Sequence, residues 1–355
     1  LFPYTTLFRS QVFGQLPCLL SDGVTSIAPP SCNVKYILHF IFYIFLFVVL
    51  LAIDTAPCYD KATHYTIKEV WRMKYSFPAF ENGFIRAAAA SPALRVADCT
   101  YNADQIIGVM REYAEKNVQL LCLPEFALTG YTCSDLFLQD VLLKAAQDSL
   151  RHIAAHSAGK NMLVFVGMPF MHKGKLFNVA AAICDGRLLG LVPKKNIPNY
   201  SEFYEMRHFT PGMDECVDTA LGVKLGSRLL FRCENIEELV VGAEICEDVW
   251  VACPPSTYHA QAGATLIVNC SASDETTGKD IYRRALISGQ SARLVCGYIY
   301  ANAGEGESTQ DLVFGGQNLV CENGNVLSET RRFKNGTAIA ELDLQRLVNE
   351  RRRMN

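Results

Sequence analysis

The sequence predicts a layered α/β domain, built on one mixed sheet or on a pair of sheets. Short uninterrupted apolar runs such as QLLCL at 119–123 and MLVFVG at 162–167 have the length of strands buried on both faces. Between such runs lie segments with apolar residues at helical spacing, among them 103–116, 140–156 and 279–294. Strands alternating with helices, with some hairpins, bury their apolar faces by stacking in layers.

The first 72 residues differ from the rest. LFPYTTLFRS at 1–10 resembles translated sequencing-adaptor read-through, and 36–53 is an apolar stretch bounded by Lys35 and Asp54. That stretch is about long enough to span a bilayer, yet the 35 residues ahead of it do not suit a signal peptide. The native chain is therefore expected to begin at or near Met73, with 1–72 a non-native or disordered extension. A genuine membrane anchor is the alternative.

From Gly83 the pattern is regular. FIRAAAA at 84–90 suits a strand, and 103–116 sets Ile106, Ile107, Met110, Tyr113 and Ala114 on one helical face. Strand 119–123 is ended by Pro124, with Glu125 next. Helix 140–156 and strand 162–167 follow, then a hairpin, 175–184 and 187–192, that turns at Asp185-Gly186. Lys194 sits in a loop between Pro193 and Pro198. The remaining elements are a strand from Val240, a helix at 256–262, a strand at 265–269, the helix 279–294, and strands near 297–303, 311–321 and 337–342. No internal repeat or low-complexity linker interrupts them. The domain is expected to occupy 73–343, with 344–355 beginning a linker.

The 355 residues, 50% hydrophobic and 19% charged, suffice for one large core or two ordinary ones. A net charge of −3 does not mark the whole chain as a nucleic-acid binder. The basic cluster at 350–353 reads as a solvated helix face. The fourteen cysteines include no C-x-x-C pair, which removes the usual zinc spacing. Cys122, Cys184, Cys270 and Cys296 lie in apolar runs, as reduced core cysteines do, so a cytoplasmic location is expected.

Three apolar runs each end in a reactive residue: Glu125 after QLLCLP, Lys194 after LLGLVP, and Cys246 in VVGAEICEDVW at 240–250. Sites in α/β sheets form at the carboxyl ends of strands, so the three side chains could converge. A carboxylate to take a thiol proton, a lysine to balance charge and a cysteine to attack a carbonyl would make a thiol amidase without histidine. Each also has a bland reading: a helix-start acid, a surface lysine, a core cysteine. The acids Glu247 and Asp248 would by themselves raise a thiol pKa, so a cation must offset them. The chain has no G-x-x-x-x-G-K-[ST] phosphate loop, and Glu305 and Glu307 would repel a phosphate from 304–307.

PEFALTGY (124–131), PKKNIPNYSEFYE (193–205) and EICEDVW (244–250) resemble the three signature segments of the nitrilase, or carbon–nitrogen hydrolase, superfamily. GYTCSDLFLQ (130–139), EFYE (202–205), NCSASDETTGK (269–279) and YANAGEGESTQDLVFGGQN (300–318) are similar to its branch of glutaminase domains in glutamine-dependent NAD synthetases. The resemblance covers residue 83 to about 353. It implies a four-layer α-β-β-α sandwich, with Cys246 as nucleophile, Glu125 as general base and Lys194 as cationic partner. The family's K-x-x-[LI]-P loop, counted back from Pro198, selects Lys194 over Lys195. Glu205 resembles an assisting acid, Tyr200 an aromatic contact to glutamine, and the backbone at Glu247 an oxyanion donor. Ser273 and Lys279 match positions that hold the amino-acid head, although some relatives carry arginine at the latter. His156, His208 and His259, which a cysteine-protease reading would recruit, lie in no matching motif.

The implied activity is hydrolysis of glutamine to glutamate and ammonia through a thioester, with neither metal nor cofactor. The ammonia would go to a synthetase domain of the same polypeptide that uses ATP and magnesium to amidate deamido-NAD. This chain is expected to stop before that domain. A homo-oligomer is expected, with no nucleic acid, and no membrane unless 36–53 is native. The alternatives are a stand-alone nitrilase-type amidase with another small amide as substrate, a non-catalytic interaction module, or a misassembled reading frame.

Overall fold

The computed structural model describes residues 66–73 and 83–354. The chain runs from β1 (Thr66–Trp71) and β2 (Phe84–Ala90) through helix α1 (Cys99–Glu115), β3 (Leu120–Cys122) and α2 (Asp140–His156). An antiparallel meander follows: β4 (Leu163–His172), β5 (Lys175–Cys184) and β6 (Arg187–Pro193). Next come the short β7 (Val217–Asp218) and β8 (Lys224–Leu225), then β9 (Leu229–Cys233), β10 (Val240–Ile245), α3 (Pro255–Gln261), β11 (Leu266–Ser271), α4 (Lys279–Leu294) and β12 (Gly297–Asn302). The fold closes with β13 (Leu319–Glu322), β14 (Asn325–Glu329), β15 (Thr337–Asp343) and α5 (Leu344–Met354).

Among the described residues these strands make two mixed sheets, in the orders β15-β2-β3-β4-β5-β6-β8-β7 and β1-β9-β10-β11-β12-β13-β14. The period-2 geometry of a strand sorts their residues between layers. Ala87 and Ala89 of β2 join a core cluster with Val241, Ala243, Val268 and Ala301 of the other sheet. Ala88 and Ala90 join Ile106, Met110, Leu150 and Ile153 of α1 and α2 on the opposite face. The alanine run is small because it is covered on both sides. Between the sheets the rings of Phe165 and Phe231 meet edge-on, 5.3 Å apart. On the far face of the second sheet, Ile287 of α4 packs with Tyr298, Tyr300 and Leu319, while α3 lies on β10. Helix, sheet, sheet, helix is the four-layer order that the family resemblance implied.

Several boundaries differ from those expected. Helix α1 begins at Cys99 rather than 103, because the Asp98 side chain caps it by accepting from the Tyr101 N–H at 3.1 Å. The expected strand 311–321 is reduced to β13, since Gly316 takes a φ of +63° that an extended chain does not use. Residues 344–354, assigned to a linker, form α5 with Leu344 and Leu347 buried. The basic cluster is also not wholly solvated. Arg351 donates to the carbonyls of Val295 (2.9 Å), Ala264 (2.7 Å) and Leu294 (3.1 Å), docking the helix. At the other end, a boundary at Met73 would leave out a strand of the sheet: β1 pairs in parallel with β9, and Trp71 and Met73 are buried. The adaptor-like segment and the apolar stretch 36–53 lie outside the described residues. Among those described, no helix is long and apolar enough to cross a membrane.

One glycine sets the depth of the site. A Cβ on Gly167 of β4 would stand 2.4 Å from the Pro124 carbonyl oxygen and from the Phe126 nitrogen. The backbone carrying Glu125 can therefore lie flat on β4 only where no side chain intervenes. Gly167→Ala is expected to destabilise the fold by about 1–3 kcal/mol, as overpacking does, measured as a shift in the urea midpoint. A midpoint unchanged by that substitution would show that the loop yields freely.

Candidate active site

The carboxyl ends of β3, β6, β10 and β11 meet at one edge of the sandwich. After β10 the chain breaks: Cys246 adopts a φ of +44° and opens a 3-10 turn, Cys246–Val249. A left-handed conformation at a non-glycine residue stores on the order of 1–3 kcal/mol and needs support from its surroundings. Asp248 supplies part of it. Its buried carboxylate accepts from the N–H groups of Ile245 (3.1 Å), Lys195 (3.3 Å) and Asn196 (2.8 Å), and from the Asn196 side chain (2.8 Å). One of the two acids beside the cysteine thus serves to tie the elbow to the Lys194 loop. The other, Glu247, is half-buried and accepts from the Tyr200 hydroxyl at 2.9 Å.

Glu125 and Lys194 are both fully buried. Lys194 Nζ donates to Glu125 Oε1 at 2.8 Å and to Glu205 Oε1 at 2.6 Å. Asn178 Nδ2 donates to Glu125 Oε1 at 2.6 Å, and the Tyr131 hydroxyl to Glu205 Oε1 at 2.9 Å. The second oxygen of Glu125 accepts from the Ala272 N–H at 3.0 Å. That same N–H also faces the Cys246 thiol. Acid, lysine and cysteine therefore lie in one cluster, with Glu205 on the far side of the ammonium. Lys195 points elsewhere, to Asp214.

The electrostatics follow from burial. Burial alone would pull the Lys194 ammonium down, but the Glu125 and Glu205 carboxylates outweigh it and hold the lysine well above its usual range. Burial, helped by the charge on Glu125, pushes Glu205 up to about 7 against the lowering effect of Lys194. Burial and then Glu125 push the Cys246 thiol up, while Lys194 and the Ala272 N–H oppose them. The resting thiol is protonated, so nucleophilic attack requires a base, and Glu125 lies beside it.

The residues expected to hold the substrate's head form one rim. Lys279, the first residue of α4, sits 5.6 Å from the Phe203 ring and 5.4 Å from the Trp250 ring, and pairs with Asp274. Tyr200 packs edge-on against Phe203 at 5.7 Å. Ser273 is buried, its N–H donating to Asn302 Oδ1 at 2.7 Å. Behind the cluster, a cavity of about 340 Å³ reaches Tyr131 and Glu205 between Phe126, Phe137 and Phe209.

Four participants escaped the sequence reading as site residues. Tyr131 and Asp248 lay within the quoted motifs. Asn178 could have been found as the polar interruption of an apolar strand. Arg283 is fully buried, donating to Asp274 O (2.8 Å), Glu275 Oε1 (2.7 Å), Gln317 Oε1 (2.6 Å) and Ser273 Oγ (3.4 Å). Its signal was a charge on the same helical face as Ile287 and Gln290. The histidines stand apart from the thiol. His156 is exposed, and His208 contacts Asp135 at 2.9 Å. His259 lies under β10, where burial lowers its pKa to about 4.

Glu244 of β10 is also buried, and burial raises its pKa to about 7 despite donors from Tyr298 and Ser256. Its folded pKa is thus above the unfolded carboxyl value, so the folded state binds more protons between them. Stability should fall as pH rises through the window from about 4.5 to about 7. Glu205, also raised to about 7, acts in the same direction, so Glu244→Gln should reduce that part of the slope without abolishing it, followed by urea midpoints across the window. A slope identical in both proteins would remove Glu244 as its source.

Residues 86–352 match the model of the carbon–nitrogen hydrolase family. Over 283 residues the chain is 39% identical to a glutamine-dependent NAD(+) synthetase of Mycobacterium tuberculosis, covering 78% of this chain and 42% of that one. Over 250 residues it is 30% identical to the enzyme of the same name from Aquifex aeolicus, covering 70% and 41%. The chain thus spans less than half the length of these relatives. It also superposes on the crystal structure of a glutamine-dependent NAD(+) synthetase from Cytophaga hutchinsonii with a TM-score of 0.65 at 30% identity, covering 73% of this chain and 43% of that one. An amidase from Nesterenkonia sp. shares the fold, with a TM-score of 0.58 at 22% identity and coverage of 77% and 95%. With its buried acid–lysine–cysteine cluster at the strand ends and a family match over residues 86–352, the chain belongs to the carbon–nitrogen hydrolase family.

Proposed function

We propose that this chain hydrolyses the side-chain amide of glutamine to glutamate and ammonia, as the ammonia-supplying part of an enzyme that amidates deamido-NAD to NAD. The observation that carries the chemistry is the Glu125 carboxylate, joined to Lys194 through one oxygen and sharing the Ala272 N–H with the Cys246 thiol through the other. The substrate and the larger reaction rest on the names of the relatives, of which this chain matches 42% and 41%.

Glu125 takes the Cys246 proton, and the thiolate attacks the amide carbon. The tetrahedral oxyanion is met by the Lys194 ammonium and by the Glu247 N–H, which is early enough in its turn to lack an intrahelical acceptor. Glu125 returns its proton to the departing nitrogen, ammonia leaves, and a γ-glutamyl thioester remains. Water then gives up a proton to Glu125, attacks the thioester, and frees glutamate and the thiol. Glu205 holds the far side of the ammonium and keeps it aligned. Tyr200, exposed and bonded to Glu247, offers an aromatic face to the substrate, and the neighbouring charges of Lys279 and Asp274 complement the α-carboxylate and α-ammonium of an amino acid. Ser273 lines the same segment. Hydrolysis by these groups calls for no metal or cofactor; ATP and magnesium belong to the amidating domain. Buried free thiols such as Cys122, Cys270 and Cys296 suit a reducing cytoplasm.

The test is ammonia release from glutamine, beside a panel of aliphatic amides. Cys246→Ala should abolish release while changing stability by at most about 1–2 kcal/mol. Glu125→Gln should slow it by roughly 10²–10⁴-fold, the usual worth of general acid–base help. Cleavage of simple amides with glutamine left intact would overturn the substrate. Near-full activity of either variant would overturn the mechanism.

A further inference from the structure

Behind the nucleophile runs a buried polar chain that takes no part in the chemistry described above. The Cys246 N–H donates to Asn269 Oδ1 at 3.0 Å. Asn269 Nδ2 donates to the Tyr298 hydroxyl at 3.1 Å, and that hydroxyl donates to Glu244 Oε1. Glu244 Oε2 accepts from the Ser256 N–H at 2.7 Å, and Gln290 Nε2 donates to Ser256 Oγ at 2.9 Å. The Ser271 hydroxyl also donates to Asn269 Oδ1, at 3.0 Å. Asn269, Tyr298, Glu244, Ser256 and Gln290 are all buried.

From the thiol's own amide to the carboxylate every bond points the same way, so each polarises the next. The orientation of the Asn269 amide is fixed from both ends. Its oxygen faces an N–H and a hydroxyl, while its nitrogen faces a hydroxyl already committed to a carboxylate. The chain crosses three neighbouring strands, β10, β11 and β12, and ends on α3 and α4.

We propose that Asn269, braced by Tyr298, is the positioning residue of the nucleophile: it holds Cys246 in its left-handed backbone conformation and withdraws the Cys246 N–H from the donors available to the oxyanion. The proposal rests on Cys246 being the nucleophile. A free Cys246 N–H would let the peptide rotate, carrying the thiol away from Glu125 and the Ala272 N–H. Asn269 acts through the backbone of Cys246 and touches no reacting atom.

Two substitutions test this, with thiol reactivity read separately from turnover. Tyr298→Phe removes only the hydroxyl that braces Asn269. It should lower kcat about 10-fold with KM within about twofold, and slow alkylation of Cys246 by iodoacetamide in proportion. Asn269→Asp keeps the acceptor for the Cys246 N–H, but when ionised loses the donor toward Tyr298. When protonated, the carboxyl has the shape and the donor of the amide. Glu244 titrates within this window in both proteins, so the readout is a ratio per folded molecule: the kcat of Asn269→Asp relative to the unsubstituted protein should rise as pH falls from about 8 to about 6, a recovery that a change in folded fraction alone would not leave. Melting temperatures and circular dichroism establish the folded fraction of each variant. A pH-independent ratio, or losses in both variants accounted for by the unfolded fraction, would overturn the proposal. A rise in KM with unchanged kcat would overturn it as well. Alkylation mapped to a cysteine other than Cys246 as activity is lost would instead overturn the assignment of the nucleophile.

Discussion

The site depends on one ammonium group held out of water between two carboxylates. Burying Lys194, Glu125 and Glu205 together costs several kcal/mol of solvation per ion, repaid only where geometry is good and the remaining lone pairs are satisfied. Here they are: Asn178 and Tyr131 share the oxygens that Lys194 engages, while the Ala272 N–H and a longer bond of 3.4 Å from Asn178 Nδ2 serve the other two. That requirement draws β3, β6, β5, β11 and the Glu205 turn into contact. A buried ion cluster of this kind is a poor source of stability in itself. Its cation answers the repulsion that Glu125, Glu205 and the neighbouring acids impose on a thiolate.

The two-sheet core is what allows the cluster to form at the sandwich edge. Alanines in β2 and β5 let the sheets approach each other while α1 and α2 press from outside. Cys122 Sγ reaches the Asn269 carbonyl across the interface at 3.4 Å, and the Glu125 N–H reaches Ser271 O at 3.2 Å. The strand that delivers Glu125 is thus tied to the strand beside Cys246. Both reactive strand ends then turn sharply, with Phe126 at a φ of +51° and Cys246 at +44°. Each turn breaks the sheet's alternation and directs a side chain along the edge.

The acids around Cys246 illustrate how position changes the meaning of a charge. Read as neighbours in a chain, Glu244, Glu247 and Asp248 would dull a thiol. In three dimensions Asp248 is occupied by backbone N–H groups, Glu247 by Tyr200, and Glu244 by Tyr298 and Ser256 on the far face of β10. Alternation along the strand places Glu244 away from the inter-sheet side on which Ile245 lies. Each acid is spent on holding backbone or neighbouring strands in place.

The layered α/β class was legible because burial on both faces leaves unbroken apolar runs, and because α2 and α4 show their helical period over their whole length. Glu125, Lys194 and Cys246 were legible too, each as a reactive residue directly after such a run. Weak local signals hid the rest. Strands β7 and β8 are two residues long, β9 carries no alternation, and α5 is anchored by Arg351, whose carbonyl partners are far away in sequence. Asn178, the Arg283–Gln317 bond and the Asn269–Tyr298–Glu244 chain join residues separated by tens of positions, and local pattern carries no information about such pairs. The chain by itself determined which groups are reactive and roughly where each strand ends. The tertiary structure alone decided which charges are buried together, because desolvation and ion pairing exist only once the two sheets have closed.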